Sequence, residues 1–369
     1  MRPRKSIIEL KASTHGGKFW HYKKNPNVQA IELIDFSASI NPIGPPESVI
    51  EVIRRNLHNL SHYPDSHSTE FKKELTKIYN LHEENLIVGN GSNELIRLFA
   101  ETFFEEGDEV IIPIPTFDEY TVATEFMGAL PIFVELKSPD FIVNSSDIIA
   151  KITDKTKAIF LCNPNNPTSK LMPPDELQSI VEDANEKQVL VFLDEVFIDS
   201  TEKGVSYAIR VTQHTNVFVI HSLTKIFAIP GLRVGYGIGS KELISYMSRA
   251  KLEWNVNYLA QVAAIAALKD ISYLEKSKEL FYKQKRFLME NLAKIRGLKT
   301  ELPDANYFFV DVSGTGLTGT RLEQELRELG ILVRNCSSFK PLGDNHIRIG
   351  IRTEKENKRL LGALNQIIQ

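Results

Sequence analysis

Between Glu84 and Ser240 the chain reads LIVGN (86–90), EVIIPI (109–114), LPIFVEL (130–136), AIFLC (158–162), VLVFLD (189–194), VFVIHS (217–222) and VGYGIG (234–239), with helical stretches in between. Runs this continuously apolar have no polar face to offer water, and strands separated by helices need crossover connections. Both features predict an α/β fold built on a mainly parallel seven-stranded sheet covered on both faces. The intervening SNELIRLFAETFF (92–104) and PDELQSIVEDANEK (174–187) are amphipathic at helical spacing, the first with Ser92 as its expected cap.

Beyond Ser240 the pattern turns strongly helical, through KELISYMSRAKLEW, LAQVAAIAALKD and ISYLEKSKELFYKQKRFLMENLAKIRG, with Gly297 as the expected stop. After it, NYFFVDV (306–312), TRLEQELRELG (320–330), ILVRN (331–335), HIRIGIR (346–352) and a last helix predict a small α+β unit with its own sheet. The segment before His62 is expected to join that unit or to clasp a partner, and NPIGPP (41–46) is too rich in Pro and Gly to be anything but a loop. The resulting division is 1–61 as a segment joining the small domain, 62–270 as the large domain and 271–369 as the small C-terminal domain.

Length and composition bound the function. A chain of 369 residues, 42% hydrophobic and 25% charged, can bury two cores and is neither disordered nor fibrous. Lys plus Arg (44) against Asp plus Glu (47) leaves a net charge of −3, so no whole-surface field attracts nucleic acid or an acidic membrane. The longest apolar run, Leu259–Leu268, falls well short of the ~20 residues that span a bilayer, and MRPRKSIIEL has no apolar signal core; a cytoplasmic protein is expected. Cys162 and Cys336 are too few for a disulfide scaffold or a cysteine zinc site, and no metal is expected.

The most specific stretch is HSLTKIFAIPGLRVGY (221–236). Lys225 follows an apolar strand directly, beside the hydroxyls of Ser222 and Thr224, with Arg233 further along a Gly/Pro-bent loop. The carboxyl ends of parallel strands are where open α/β sheets bind ligands. Desolvation there favours the neutral amine, the form that condenses with an aldehyde, while hydroxyls and a guanidinium suit a phosphate. Gly91, Ser92 and Asn93 join a strand to a helix, a second place where free amides and the helix dipole receive an anion. Asp194 ends the strand VLVFLD, Arg348 and Arg352 alternate in HIRIGIR and so share a strand face, and Arg334 lies on the preceding strand.

This set resembles the fold-type I pyridoxal-phosphate enzymes, whose lysine stands in an S-x-[ST]-K-x(6 to 8)-R-x-G-Y setting. The resemblance implies pyridoxal 5'-phosphate as cofactor and Lys225 as its Schiff-base lysine. It further implies Asp194 paired with the pyridine nitrogen, Asn166 of CNPNNPTSK bonded to the ring oxygen, and Phe117 stacked on the ring. Gly91, Ser92, Asn93, Ser222, Thr224 and Arg233 would hold the phosphate. Ser169 departs from the N-P-T-G of the family. Tyr63 of HYPD matches a tyrosine that reaches the neighbouring subunit's cofactor, which implies a homodimer with shared active sites.

Within that family HGGK (15–18), DFSASINPIGPP (35–46), PTFDEY (115–120), DEVFIDS (194–200) and VRNCSSFKPLGDNHIRIGIRT (333–353) resemble the threonine-phosphate decarboxylases. The expectation is a carboxy-lyase that converts L-threonine O-3-phosphate to aminopropanol phosphate for cobalamin synthesis. Arg348 would hold the substrate carboxylate, with His15, Gly16, Asn41 and Arg334 near its phosphate or carboxylate. The alternative is a histidinol-phosphate aminotransferase working with 2-oxoglutarate, in which the D-E-x-Y motif carries a tyrosine where this chain has Phe197. A ligand-sensing regulator on the same fold would need a DNA-binding segment, and no basic helix-turn-helix pattern precedes His15.

Overall fold

The computed structural model describes residues 2–8, 10–11, 13–24 and 32–368. Its strands are β1 (Ile34–Asp35), β2 (Leu86–Gly89), β3 (Glu109–Ile114), β4 (Leu130–Glu135), β5 (Thr156–Cys162), β6 (Leu190–Asp194), β7 (Val217–Ser222) and β8 (Gly235–Gly239). They continue as β9 (Lys299–Thr300), β10 (Tyr307–Asp311), β11 (Ile331–Leu332), β12 (Arg334–Asn335) and β13 (His346–Gly350). Strands β2 to β8 form one sheet in the order β2-β8-β7-β6-β5-β3-β4. Only β8 runs against its neighbours, so the expected α/β fold with a mainly parallel seven-stranded sheet is the one observed.

Both faces of this sheet are dry because successive side chains point to opposite sides of each strand. On one face Phe99, from the helix Ser92–Phe103, packs its ring 5.0 Å from Phe192 and 5.7 Å from Phe218. On the other face Val191, Leu193 and Val219 are fully buried in the larger core. The alternation stops where the parallel strands end, and there the buried residues turn polar: Asn163 and Asn166 after β5, Asp194 at the end of β6, Ser222 at the end of β7.

The second sheet, in the order β12-β13-β10-β9, is antiparallel and packs against the helix Gly319–Glu328. Val333 separates β11 from β12, so ILVRN serves two sheets: β11 pairs in parallel with β1, and β12 pairs with β13. The N-terminal segment does not stay with the small unit. Ile34–Asp35 joins it, but the helix Glu47–Asn56 packs on the helix Tyr258–Lys269, where the Tyr258 hydroxyl donates to Asn56 at 2.9 Å. The segment therefore bridges the two units.

Three local expectations are corrected. Ser92 is the first residue of its helix and does not cap it; Gly91 occupies the N-cap at φ 81 and ψ 161, and no side chain closes that end. The strand β13 stops at Gly350, which leaves Arg352 beyond it, paired with Glu356 instead of sharing the face of Arg348. The long helix Ile271–Leu292 ends before Gly297, whose φ of 87 turns the chain against the backbone of Gly314. No helix of the described residues is long and apolar enough to cross a membrane.

Candidate active site

The polar residues at the carboxyl ends of β5, β6 and β7 open into a cavity of about 740 Å³ between the two units. At its floor stands Lys225, one turn into a short helix capped by Ser222, whose hydroxyl accepts from the Thr224 amide and lies 2.8 Å from the Thr224 hydroxyl. The Lys225 amine donates to the Ala38 carbonyl at 3.2 Å. Burial, assisted by the charges of Arg348 and Arg233, lowers its pKa to about 8, so about a tenth of the amine is neutral at pH 7, far more than for an ordinary lysine. This is the nucleophilic form of an amine.

Asp194 is 5% exposed, with one carboxylate oxygen accepting from the Tyr120 hydroxyl at 2.7 Å and the other from the Val196 amide at 2.9 Å. Burial pushes its pKa up to about 6, against those hydrogen bonds, so it is an anion at neutral pH in a place that disfavours anions. Such a carboxylate gains most from a cationic N–H partner. Tyr120 is a positioning residue that the sequence reading quoted only as part of PTFDEY. Its ring stacks on Phe160 at 5.0 Å, which fixes the hydroxyl under Asp194.

Ser92 and Asn93, at the open amino end of the helix Ser92–Phe103, line the same cavity as Ser222, Thr224 and Arg233. Arg233 lies against Gly91 so closely that a Cβ at position 91 would meet its guanidinium. Free amides, hydroxyls and a guanidinium converge there as an anion site. Phe117 lines the wall above, and Asn166 accepts a hydrogen bond from Arg348. Arg348 also donates to the Ser37 carbonyl at 2.7 Å, and its Nε is buried with no partner among the described residues.

Arg334 faces Arg348 across the β12–β13 pair and donates to the Thr14 carbonyl and the Ser338 hydroxyl, both at 2.6 Å. His15 reaches Glu119 at 2.8 Å, and its ring centroid lies 5.6 Å from that of Phe117. Gly16 packs on the Ser37 carbonyl, where a Cβ would approach to 2.5 Å. His15, Gly16, Arg334 and Arg348 thus line the cavity. Asn41 does not. It is 2% exposed, and its amide donates to the Ile226 carbonyl at 2.8 Å and the Ser277 hydroxyl at 2.7 Å, so its capacity is spent inside the core. Tyr63 stands outside, 79% exposed and stacked on Trp254 at 4.5 Å. Asp118, which the sequence offers only within PTFDEY, and Arg352 also line the cavity.

The donor set has the chemistry of pyridoxal phosphate: an amine for its aldehyde, an anion site for its phosphate and a buried carboxylate for its ring nitrogen. The residues present therefore fit that cofactor.

The model of the family "Aminotransferase class I and II" matches residues 31–364. The histidinol-phosphate aminotransferase of Methanocaldococcus jannaschii is 36% identical over 339 residues, covering 91% of this chain and 90% of that protein. Among solved structures, the histidinol-phosphate aminotransferase of Clostridium acetobutylicum superposes with a TM-score of 0.85 at 31% identity, covering 91% of this chain and 99% of that one. The L-threonine-O-3-phosphate decarboxylase of Porphyromonas gingivalis gives a TM-score of 0.80 at 22% identity, covering 90% of this chain and 98% of that one, a likeness of fold alone.

These relatives overturn the expected decarboxylase, and with it the lyase class and the role in cobalamin synthesis. The segments behind that expectation are in part structural, as Asn41 and Gly16 show, and so do not distinguish reactions. Phe197, which lacks the hydroxyl of D-E-x-Y, packs edge-on to Tyr307 at 4.9 Å; it removes a donor without adding a group that would select decarboxylation. With the family match spanning most of its length and a cavity that fits the cofactor, the chain belongs to the class I and class II aminotransferases, pyridoxal-phosphate enzymes of fold type I.

Proposed function

We propose that this chain transfers the amino group of histidinol phosphate to 2-oxoglutarate. The observation that carries the reading is the 36% identity, over nine tenths of both chains, with a histidinol-phosphate aminotransferase. The cavity supports it by joining an amine of lowered pKa to two buried arginines, Arg334 and Arg348, that suit a phosphate or carboxylate.

In this reading Ser92, Asn93, Ser222, Thr224 and Arg233 hold the cofactor phosphate, with Gly91 leaving room for the guanidinium. Asp194 would pair with the ring nitrogen, Asn166 would bond the ring oxygen, and Phe117 would cover the ring. Bound there, pyridoxal phosphate supplies an aldehyde for the substrate amine and a ring that draws electrons from the bonds to Cα. Lys225, whose amine lines the cavity, would take a proton from the substrate Cα on Nζ and give it back. Its lowered pKa suits it to act in both directions near neutrality. Arg334 and Arg348 orient the substrate through its anionic group, and His15 with Gly16 closes the wall beside Phe117.

We infer that two copies share their active sites, because Tyr63 stands exposed on Trp254, outside its own cavity, with the exposed Leu60 three residues before it. The experiment is to incubate the cofactor-loaded protein with histidinol phosphate and 2-oxoglutarate and to measure glutamate. Glutamate formed only when both substrates are present is expected; its absence sinks the reading.

A further inference from the structure

Three carboxylates that line the cavity differ in how they are occupied. Asp35 accepts from the amide and hydroxyl of Ser37 at 2.7 and 2.6 Å, and Asp194 accepts from Tyr120 and Val196. Asp118 has no hydrogen-bond or ion-pair partner among the described residues. It stands at the N-cap of the helix Glu119–Met127, where an aspartate ordinarily bonds the first free amides, yet its side chain makes no such bond. The adjacent Glu119 is already engaged by His15 at 2.8 Å, by Ser13 and by Asn93 at 3.4 Å.

Burial raises the pKa of Asp118 to about 6, while the charges of Arg334, His15 and Lys340 act the other way. None of those three lies within ion-pair distance of it. A half-buried acceptor that neither caps its helix nor pairs with the nearby cations is left for something that enters the cavity.

The substrate of the proposed reaction has three arms. Its amine is directed to the end of the cavity where Lys225 stands and its phosphate to the arginines of the small unit, which leaves the ring to meet the wall formed by Phe117, Asp118 and His15. We propose that Asp118 determines substrate choice by accepting a hydrogen bond from a ring N–H of a heteroaromatic amine phosphate. This rests on the aminotransferase reading and narrows it to substrates whose ring can donate.

The test compares kcat/KM for histidinol phosphate with that for the same amino-alcohol phosphate bearing phenyl in place of imidazole. The ratio of the two is expected to fall by about ten-fold or more in Asp118→Asn, as loss of a charged acceptor implies, and to recover in part in Asp118→Glu. In the wild-type enzyme, methylating the ring N–H of histidinol phosphate is expected to lower kcat/KM by a similar factor, a measurement that needs no variant. A ratio unchanged within about three-fold in Asp118→Asn, or a methylated ring accepted as well as the parent, overturns the proposal. Equal loss on both substrates also overturns it, since the effect of Asp118 would then not depend on the ring. A wild-type enzyme that turns over neither amine phosphate is a different failure, that of the aminotransferase reading itself.

Discussion

Lys225 shows at the residue scale how a site is made by opposing the preference of a group. Its amine stands among Arg348 and Arg233 in a buried cavity, so the native state binds its proton less tightly than the unfolded chain does. Between about pH 8 and the ordinary lysine value near 10.5 the unfolded chain carries this proton and the native one does not, and the Lys225 contribution to stability therefore rises with pH across that window. Lys225→Met, which removes the charge at similar length, is expected to melt above the cofactor-free wild type at pH 7. That difference should shrink from pH 8 to pH 10 while transamination is abolished at every pH. Thermal melts of both proteins across that range check the sign, and a constant difference would show that Lys225 is not desolvated. Asp194 is the mirror case, a carboxylate whose pKa of about 6 reflects burial that only a cationic partner relieves.

At the scale of the element, the helix Ser92–Phe103 joins stability to binding. Its apolar face carries Leu95, Ile96 and Phe99 into the core, and its amino end is left without a side-chain cap. Gly91 makes that possible, since φ 81 with ψ 161 is a region essentially closed to residues with a Cβ. Gly91→Ala is expected to cost about 1–3 kcal/mol of stability through backbone strain and to displace Arg233. Cofactor titration by absorbance should then show affinity weakened about ten-fold or more, as a disturbed charge-assisted contact implies. Unchanged affinity would mean that Arg233 does not hold the phosphate. The helix itself was legible from its amphipathic spacing. The cap was not, because Ser92 has the right chemistry for an N-cap and only the approach of Arg233 to the loop shows why a glycine takes that place.

On the scale of the whole molecule, Leu57, Leu60 and Trp254 are each at least half exposed close to Tyr63 in sequence or in contact with it, more apolar surface than a free loop region ordinarily carries. With the proposed sharing of active sites, Leu60→Asp is expected to shift sedimentation from dimer to monomer and to lower kcat/KM together with cofactor affinity, because Tyr63 would then not reach a second cavity. A monomeric variant with full activity would separate assembly from catalysis. The sequence by itself determined the parallel sheet and the residues at its carboxyl ends, because apolar strand runs and the Lys225, Asp194 and Arg233 setting are local patterns that survive without their partners. Tertiary structure alone decided that Asn41 is spent in the core, that Arg348 holds Asn166 from the opposite unit, and that Asp118 lines the cavity with no side-chain partner among the described residues. Each of these depends on which groups from distant parts of the chain saturate a side chain's hydrogen bonds, and residue type and spacing carry no record of that.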